Sequence, residues 1–240
     1  MSLQVIAGPP GSGRGAELVA AFTDALDGEP LLVAPTSDDV DRLERELCAS
    51  PGGILGGRVT SFPGLFGEVA RAVGVDAVAP LTRIQRIWLA REGAAATDLR
   101  RLARSARHEG FAPALEGLIG DLQTEGLDAG GFEAAVDAAG AGDYERELVA
   151  LFAAYERHRD AAGAVDEHQL AGRTTAALRA APGRWRQRPV LLYGFDDLTR
   201  EQIELVDALG AAGPVTITVT FEDRHAFAAR AELLGVLRDE

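Results

Sequence analysis

Two clusters of residues in this chain have the types and spacing for chemistry on phosphates. The first is "GPPGSGRG", Gly8 to Gly15. A glycine-rich turn of G-x-x-x-x-G spacing, set between an apolar run and a helical pattern, is the build of a phosphate-cradling loop. Its backbone N–H groups wrap the phosphates, a Lys reaches the outer ones, and a Ser or Thr hydroxyl holds Mg²⁺. Gly8, Gly11, Ser12 and Gly13 can form the wrap, but Arg14 and Gly15 stand where the Lys and the hydroxyl belong. Arg14 keeps the charge on a broad planar fork, and Gly15 has no oxygen to offer a metal. The loop reads either as a tight strand-to-helix turn or as a weak anion cradle. ATP binding stays open, and hydrolysis of Mg·ATP is not expected.

Hydrolysis also needs a carboxylate pair at the end of a second buried strand, to position Mg²⁺ and activate water. The matching run, Val190 to Tyr193, leads into "YGFDDLT", so Tyr193 and Gly194 occupy the two acidic positions. Asp196 and Asp197 fall beside Thr199 and Gln202, whose spacing is that of a helix-capping box. The Asp-Glu-His triplet at 166–168 follows no apolar strand and opens an amphipathic helix. No catalytic residue is therefore expected. The histidines at 108, 158, 168 and 225 have no metal-ligand spacing with one another or with Cys48, so no metal site is expected either. Cys48 is expected to be a buried thiol beside Val40, Leu43 and Leu47.

The second cluster is basic. Residues 83 to 107 carry seven arginines against Glu92 and Asp98, inside a chain whose net charge is −13. "TDLRRLARSARHEG" predicts a helix over 97–110, on which Arg100, Arg101, Arg104, Arg107 and His108 share an arc of about 120° opposite Leu99, Leu102 and Ala106. Such a face either is solvated and pairs with the acidic remainder or contacts nucleic-acid phosphates. Trp88 and Trp185 are isolated and read as packing residues.

The elements that must position these clusters follow from periodicity. "LQVIAG", "PLLVAP" and "RVTSF" are short apolar runs without strict alternation, each followed by a helical pattern, and they predict buried parallel strands. Thr36 and Asp39 mark a helix start. From about Pro80 to Arg188 only amphipathic helical patterns separated by Gly and Pro appear. "PVLLYGFDDLTREQIELVDALG" and "GPVTITVTFE" then restore strand, helix and strand. The expected organisation is an α/β domain in residues 1–80, a helical insertion in 81–188 and the closing part of the α/β domain in 189–240.

The chain has 240 residues, 47% of them apolar, and all 24 of its basic residues are arginine. That suffices for a sizeable core. So acidic a chain does not coat nucleic acid with its whole surface, and any DNA contact must be local. One cysteine excludes an internal disulfide framework. No apolar run has membrane-spanning length and no secretory leader is seen, so a cytoplasmic location is expected, with no membrane partner.

The order of "IAGPPGSGRG", "LLVAPTSDDVDRLERELC", "RVTSFPGLFGEVAR", the helical "GFAPALEGLIGDL" and "ELVALFAAYERHRDAAGAVDEHQL", then "VLLYGFDDLTREQIELVDAL" and "VTITVTFE", resembles the N-terminal part of the AddB subunit of bacterial ATP-dependent helicase-nucleases. The resemblance covers nearly the whole chain, and the segment Gly194 to Leu205, with Phe195, Leu198 and Thr199, is more specific than the glycine-rich loop. It implies a RecA-like P-loop parallel sheet of the superfamily-one helicase type, interrupted by an all-helical insertion domain, which has lost its motor function. It implies double-strand-break end processing, with DNA as duplex ends or displaced single strand and an AddA-like helicase-nuclease subunit as partner. It also implies a nuclease module with an iron–sulfur cluster beyond Glu240, so the chain reads as an N-terminal fragment that holds no cofactor itself. The departure from the family lies at Arg14 and Gly15, where many relatives carry Lys and Ser or Thr. Two other readings stand beside this one: a P-loop ATPase with a degenerate loop, and an interaction scaffold that touches neither DNA nor nucleotide.

Overall fold

The computed structural model describes residues 2–49, 55–75, 79–221 and 235. The helix expected before Glu240, and His225, lie outside the described residues. Five strands, β1 (Leu3–Gly8), β2 (Leu31–Ala34), β3 (Arg58–Ser61), β4 (Val190–Phe195) and β5 (Val215–Thr220), form one all-parallel sheet in the order β1-β5-β4-β2-β3. The strand that leads into the glycine-rich loop and the strand that holds Tyr193 and Gly194 are thus separated only by β5. Helices α1 (Arg14–Asp24), α2 (Ser37–Cys48) and α3 (Phe62–Val73) follow the first three strands, and α9 (Arg200–Ala212) lies between β4 and β5.

Alternation along each strand sends side chains to two cores. Leu32, Ala34, Val59 and Leu191 pack with Leu18 and Phe22 of α1 and Leu43 and Leu47 of α2. Leu31, Val33, Val190, Leu192 and Ile217 pack with Phe62, Leu65 and Val69 of α3 and Leu205 and Leu209 of α9. With both faces covered, the strands read as continuous apolar runs. The expected caps form: Thr36 accepts the Asp39 N–H at 3.1 Å, and Thr199 and Gln202 make a reciprocal capping box.

The helical stretch contains α4 (Arg83–Ala95), α5 (Phe111–Thr124), α6 (Ala129–Ala138), α7 (Asp143–Ala161) and α8 (Glu167–Ala180). Leu89, Leu115, Ile119, Leu151, Phe152 and Tyr155 form its core. A buried polar cluster ties the helices together. Asp166, fully buried, accepts from Arg159 at 2.8 Å, from Gln123 at 2.9 Å and from the Gln169 N–H at 2.8 Å, and so caps α8. Burial pushes the Asp166 carboxyl up, but these donors outweigh it and hold it below the ordinary value of 3.8.

Packing divides the chain into one compact unit of residues 1–77 with 173–240 and another of 78–172. The second boundary lies at 172/173, whereas the helical pattern of the sequence carries it to 188. The reason is the company kept by Leu178 and Trp185, both of which sit in the core under the sheet. Among the described residues, no helix is long and apolar enough to cross a membrane.

Candidate functional site

The glycine-rich loop brings Gly8, Gly11, Ser12, Gly13, Arg14 and Gly15 together at the carboxyl ends of the strands. The Ser12 N–H closes the turn on the Pro9 carbonyl at 3.2 Å. Gly11 and Gly13 have φ of 77° and 86°, a region that strains any side-chain-bearing residue, and Gly13 is the N-cap of α1.

Arg14 turns onto the sheet. Its Nη1 donates to the Val219 carbonyl at 2.9 Å and its Nη2 to Thr220 Oγ1 at 3.2 Å, so the guanidinium is committed to the end of β5. Gly15 faces Tyr193: a Cβ placed there would lie 3.0 Å from Cε2 and 3.1 Å from the hydroxyl of that ring. The Arg42 guanidinium also lies against this ring, 5.5 Å from its centroid. The position of the missing Mg²⁺-binding hydroxyl and the position of the missing strand-end carboxylate are therefore in contact, and an aromatic ring fills the space between them. Neither residue offers a carboxylate, and any side chain at position 15 would meet the Tyr193 ring.

The arginine cluster differs from its expected form. Residues 96–110 are not an α-helix, and Ser105–Arg107 make a single 3₁₀ turn. The cause is Glu147 of α7. Its Oε1 accepts the backbone N–H groups of Arg100 at 2.9 Å and Arg101 at 2.8 Å, and its Oε2 accepts that of Leu102 at 2.8 Å. Burial pushes the Glu147 carboxyl up, but the N–H groups of Arg101, Leu102 and Arg100 pull it further down, and it stays below the ordinary carboxylate range. Thr97 adds a bond from its hydroxyl to the Gly93 carbonyl at the end of α4, 2.7 Å long. Leu102 is buried and anchors the segment, while Arg100, Arg101, Arg104 and Arg107 are exposed.

Among the described residues, none of these four side chains makes an ion pair, although the chain is strongly acidic. Arg83 and Arg86, by contrast, are held by the buried Glu116 at 3.3 and 2.9 Å. Arg107 also lines a cavity of about 510 Å³ together with Arg91, His108 and Phe111.

Two further expectations are corrected. Cys48 is exposed: it is the last residue of α2 and turns off the face that Leu43 and Leu47 bury. Trp88 is 59% exposed on α4, one turn from Ile84 at 81%, whereas Trp185 is packed at 3%. Asp166 to His168 open α8, as the pattern predicts. Sequence reasoning missed Glu147, for which no short-range signal exists. It also missed the pairing of Tyr193 with Gly15, which a large residue opposite an absent side chain could have suggested.

No protein-family model matches the chain. It is 26% identical over 230 residues to an ATP-dependent helicase/deoxyribonuclease subunit of Heliobacterium modesticaldum. The alignment covers 88% of this chain and 18% of that protein, so the chain spans less than a fifth of the relative it matches. At this identity the relationship is a distant one.

Proposed function

We propose that the chain is a helicase-like module, without ATP turnover of its own, of a DNA double-strand-break end-processing helicase-nuclease subunit. In this reading it guides DNA and leaves translocation to a partner motor subunit in the cytoplasm. The observation that carries the DNA role is the loop at 100–107. Four exposed guanidinium groups lie within eight residues of a chain of charge −13, and a carboxylate pins their backbone while, among the described residues, none forms an ion pair with their side chains. Exposed cations left unpaired in an acidic protein suit phosphate contacts, which position nucleic acid without reading its sequence.

The absence of turnover is supported by the Tyr193 ring against Gly15 and by the engagement of Arg14 with β5. The same contacts count against an ATPase with a degenerate loop. The distant likeness to a helicase/deoxyribonuclease subunit supports the setting.

A DNA titration at several salt concentrations tests the proposal. With about three phosphates neutralised, log K against log salt should fall with a slope of about −2 to −3. Replacing Arg100, Arg104 and Arg107 together by Gln should flatten the slope and weaken binding equally for every sequence. Unchanged binding and slope in the triple variant would favour the scaffold reading.

A further inference from the structure

Glu29, Arg186 and Gln187 are the described non-glycine residues with φ in the left-handed region, at 52°, 59° and 56°. All three lie at one place. Glu29 and Arg186 line a cavity of about 430 Å³, and Gln187 stands in the chain between Arg186 and Arg188, which line it. Glu29 shortly precedes β2 and Arg186 shortly precedes β4, so in a parallel sheet the cavity lies at the amino ends of the strands, opposite the glycine-rich loop. Non-glycine residues adopt this backbone region under strain, and such strain gathers at ligand clamps when the surroundings over-determine it.

They do so here. A Cβ on Gly213 would lie 2.8 Å from the Gln187 Cα, so only glycine lets the two backbones approach. The Trp185 indole N–H donates to the Arg188 carbonyl at 2.8 Å, and Arg188 Nε donates to the Glu29 carbonyl.

The cavity wall carries four guanidinium groups, Arg71, Arg184, Arg186 and Arg188, against Glu29 and Glu68. That is an excess of two positive charges in a chain of −13. Glu68 does not neutralise its neighbours one for one, because Arg71 at 3.0 Å, Arg188 at 3.1 Å and Arg58 at 2.6 Å share it. Arg184 donates one N–H to the Val73 carbonyl at the end of α3, and Arg188 also lies 5.9 Å from the Trp185 ring centroid. These bonds orient two planar forks and use only part of their five donors each. Arg186 is exposed and makes no ion pair among the described residues.

We propose that this cavity binds a phosphomonoester dianion, held by Arg186 and Arg71 with Arg184 and Arg188 as pre-oriented donors. Planar forks suit the oxygens of a phosphate, and a terminal phosphate carries about two negative charges near neutral pH, the excess the wall offers, whereas a phosphodiester carries one. The site is separate in its residues from the arginine loop, and neither proposal depends on the other.

Trp185 reports on the site. In the full chain with Trp88→Phe it is the remaining indole, so its fluorescence can be followed while inorganic phosphate replaces chloride at constant ionic strength. A saturable change with a midpoint of about 1 mM is expected for a few charge-assisted contacts in a solvated cavity. Arg186→Gln and Arg71→Gln should each raise the midpoint about tenfold with unchanged circular dichroism. Two decathymidylates, one 5′-phosphorylated and one not, separate the sources, with Arg100, Arg104 and Arg107 replaced by Gln so that loop binding does not contribute. A phosphorylated oligomer that saturates below free phosphate supports a nucleic-acid terminus as the ligand, and one that matches it supports small phosphomonoesters. An unphosphorylated oligomer that binds as well as its phosphorylated form overturns the proposal. So does the lack of a saturable response, or an unchanged midpoint in both arginine variants.

Discussion

At the scale of single residues, Gly15 and Tyr193 constrain each other. Adding a hydroxymethyl group in Gly15→Ser drives it into a ring 3.0 Å from its Cβ, and overpacking of this kind costs about 1–3 kcal/mol. Arg14→Lys with Gly15→Ser should therefore lower the denaturation midpoint and still release no phosphate from ATP. Measured DNA-stimulated turnover would refute the claim of an inert loop. Asp166 offers a second test. Asp166→Ala leaves Arg159 buried without its nearest partner and α8 without its cap, a loss of about 3–5 kcal/mol in denaturant unfolding. Its folded pKa is depressed, so its contribution is complete above the ordinary value of 3.8 and disappears as pH falls through the lower folded value. Acid unfolding should accordingly begin below about pH 4 in the parent, and stability should depend less on pH there in the Asp166→Ala variant.

At the scale of elements, the strands and helix caps were legible because local patterns decide them. Thr36 and Thr199 each accept the N–H three residues on, as their spacing predicts. The segment from Arg100 to Arg107 was not legible as it folds. Its periodicity is helical, but the acceptor for its first N–H groups is Glu147, more than forty residues away, and tertiary hydrogen bonds override propensity. Of the glycine-rich loop, the turn and its missing functional groups were readable, while the partner of Gly15 required the fold. The exposure of Trp88 and Cys48 was unreadable for a similar reason, since an isolated residue near a helix face can lie on either side of its border. Glu147→Gln tests the element directly. It keeps every arginine but weakens three N–H bonds, so amide exchange at Arg100, Arg101 and Leu102 should accelerate and DNA affinity should drop with no change in salt slope. Because the Glu147 carboxyl is held below its ordinary 4.5, protection of those amides should persist above that pH and vanish as pH falls through the lower value. Protection that stays unchanged in the variant would mean that the loop is ordered by Leu102 alone.

At the scale of the whole molecule, the two compact units differ in what they need to fold. Residues 78–172 have their own apolar core and their own buried ion pair. A fragment of those residues should give a cooperative helical melt, and a fragment of residues 1–77 should not, because β1 pairs with β5 and β2 with β4. A dispersed NMR spectrum from the 1–77 fragment would contradict this. The register that joins Leu3 to Val215 also sets a delay. With synthesis at about 5–20 residues per second, β1 emerges from the ribosome about 10–40 s before the strand it must lie against. The helical unit can close during that interval, while the first strand waits with its hydrogen-bonding groups unmatched, and in the living cell this is the period in which the chain most needs a chaperone.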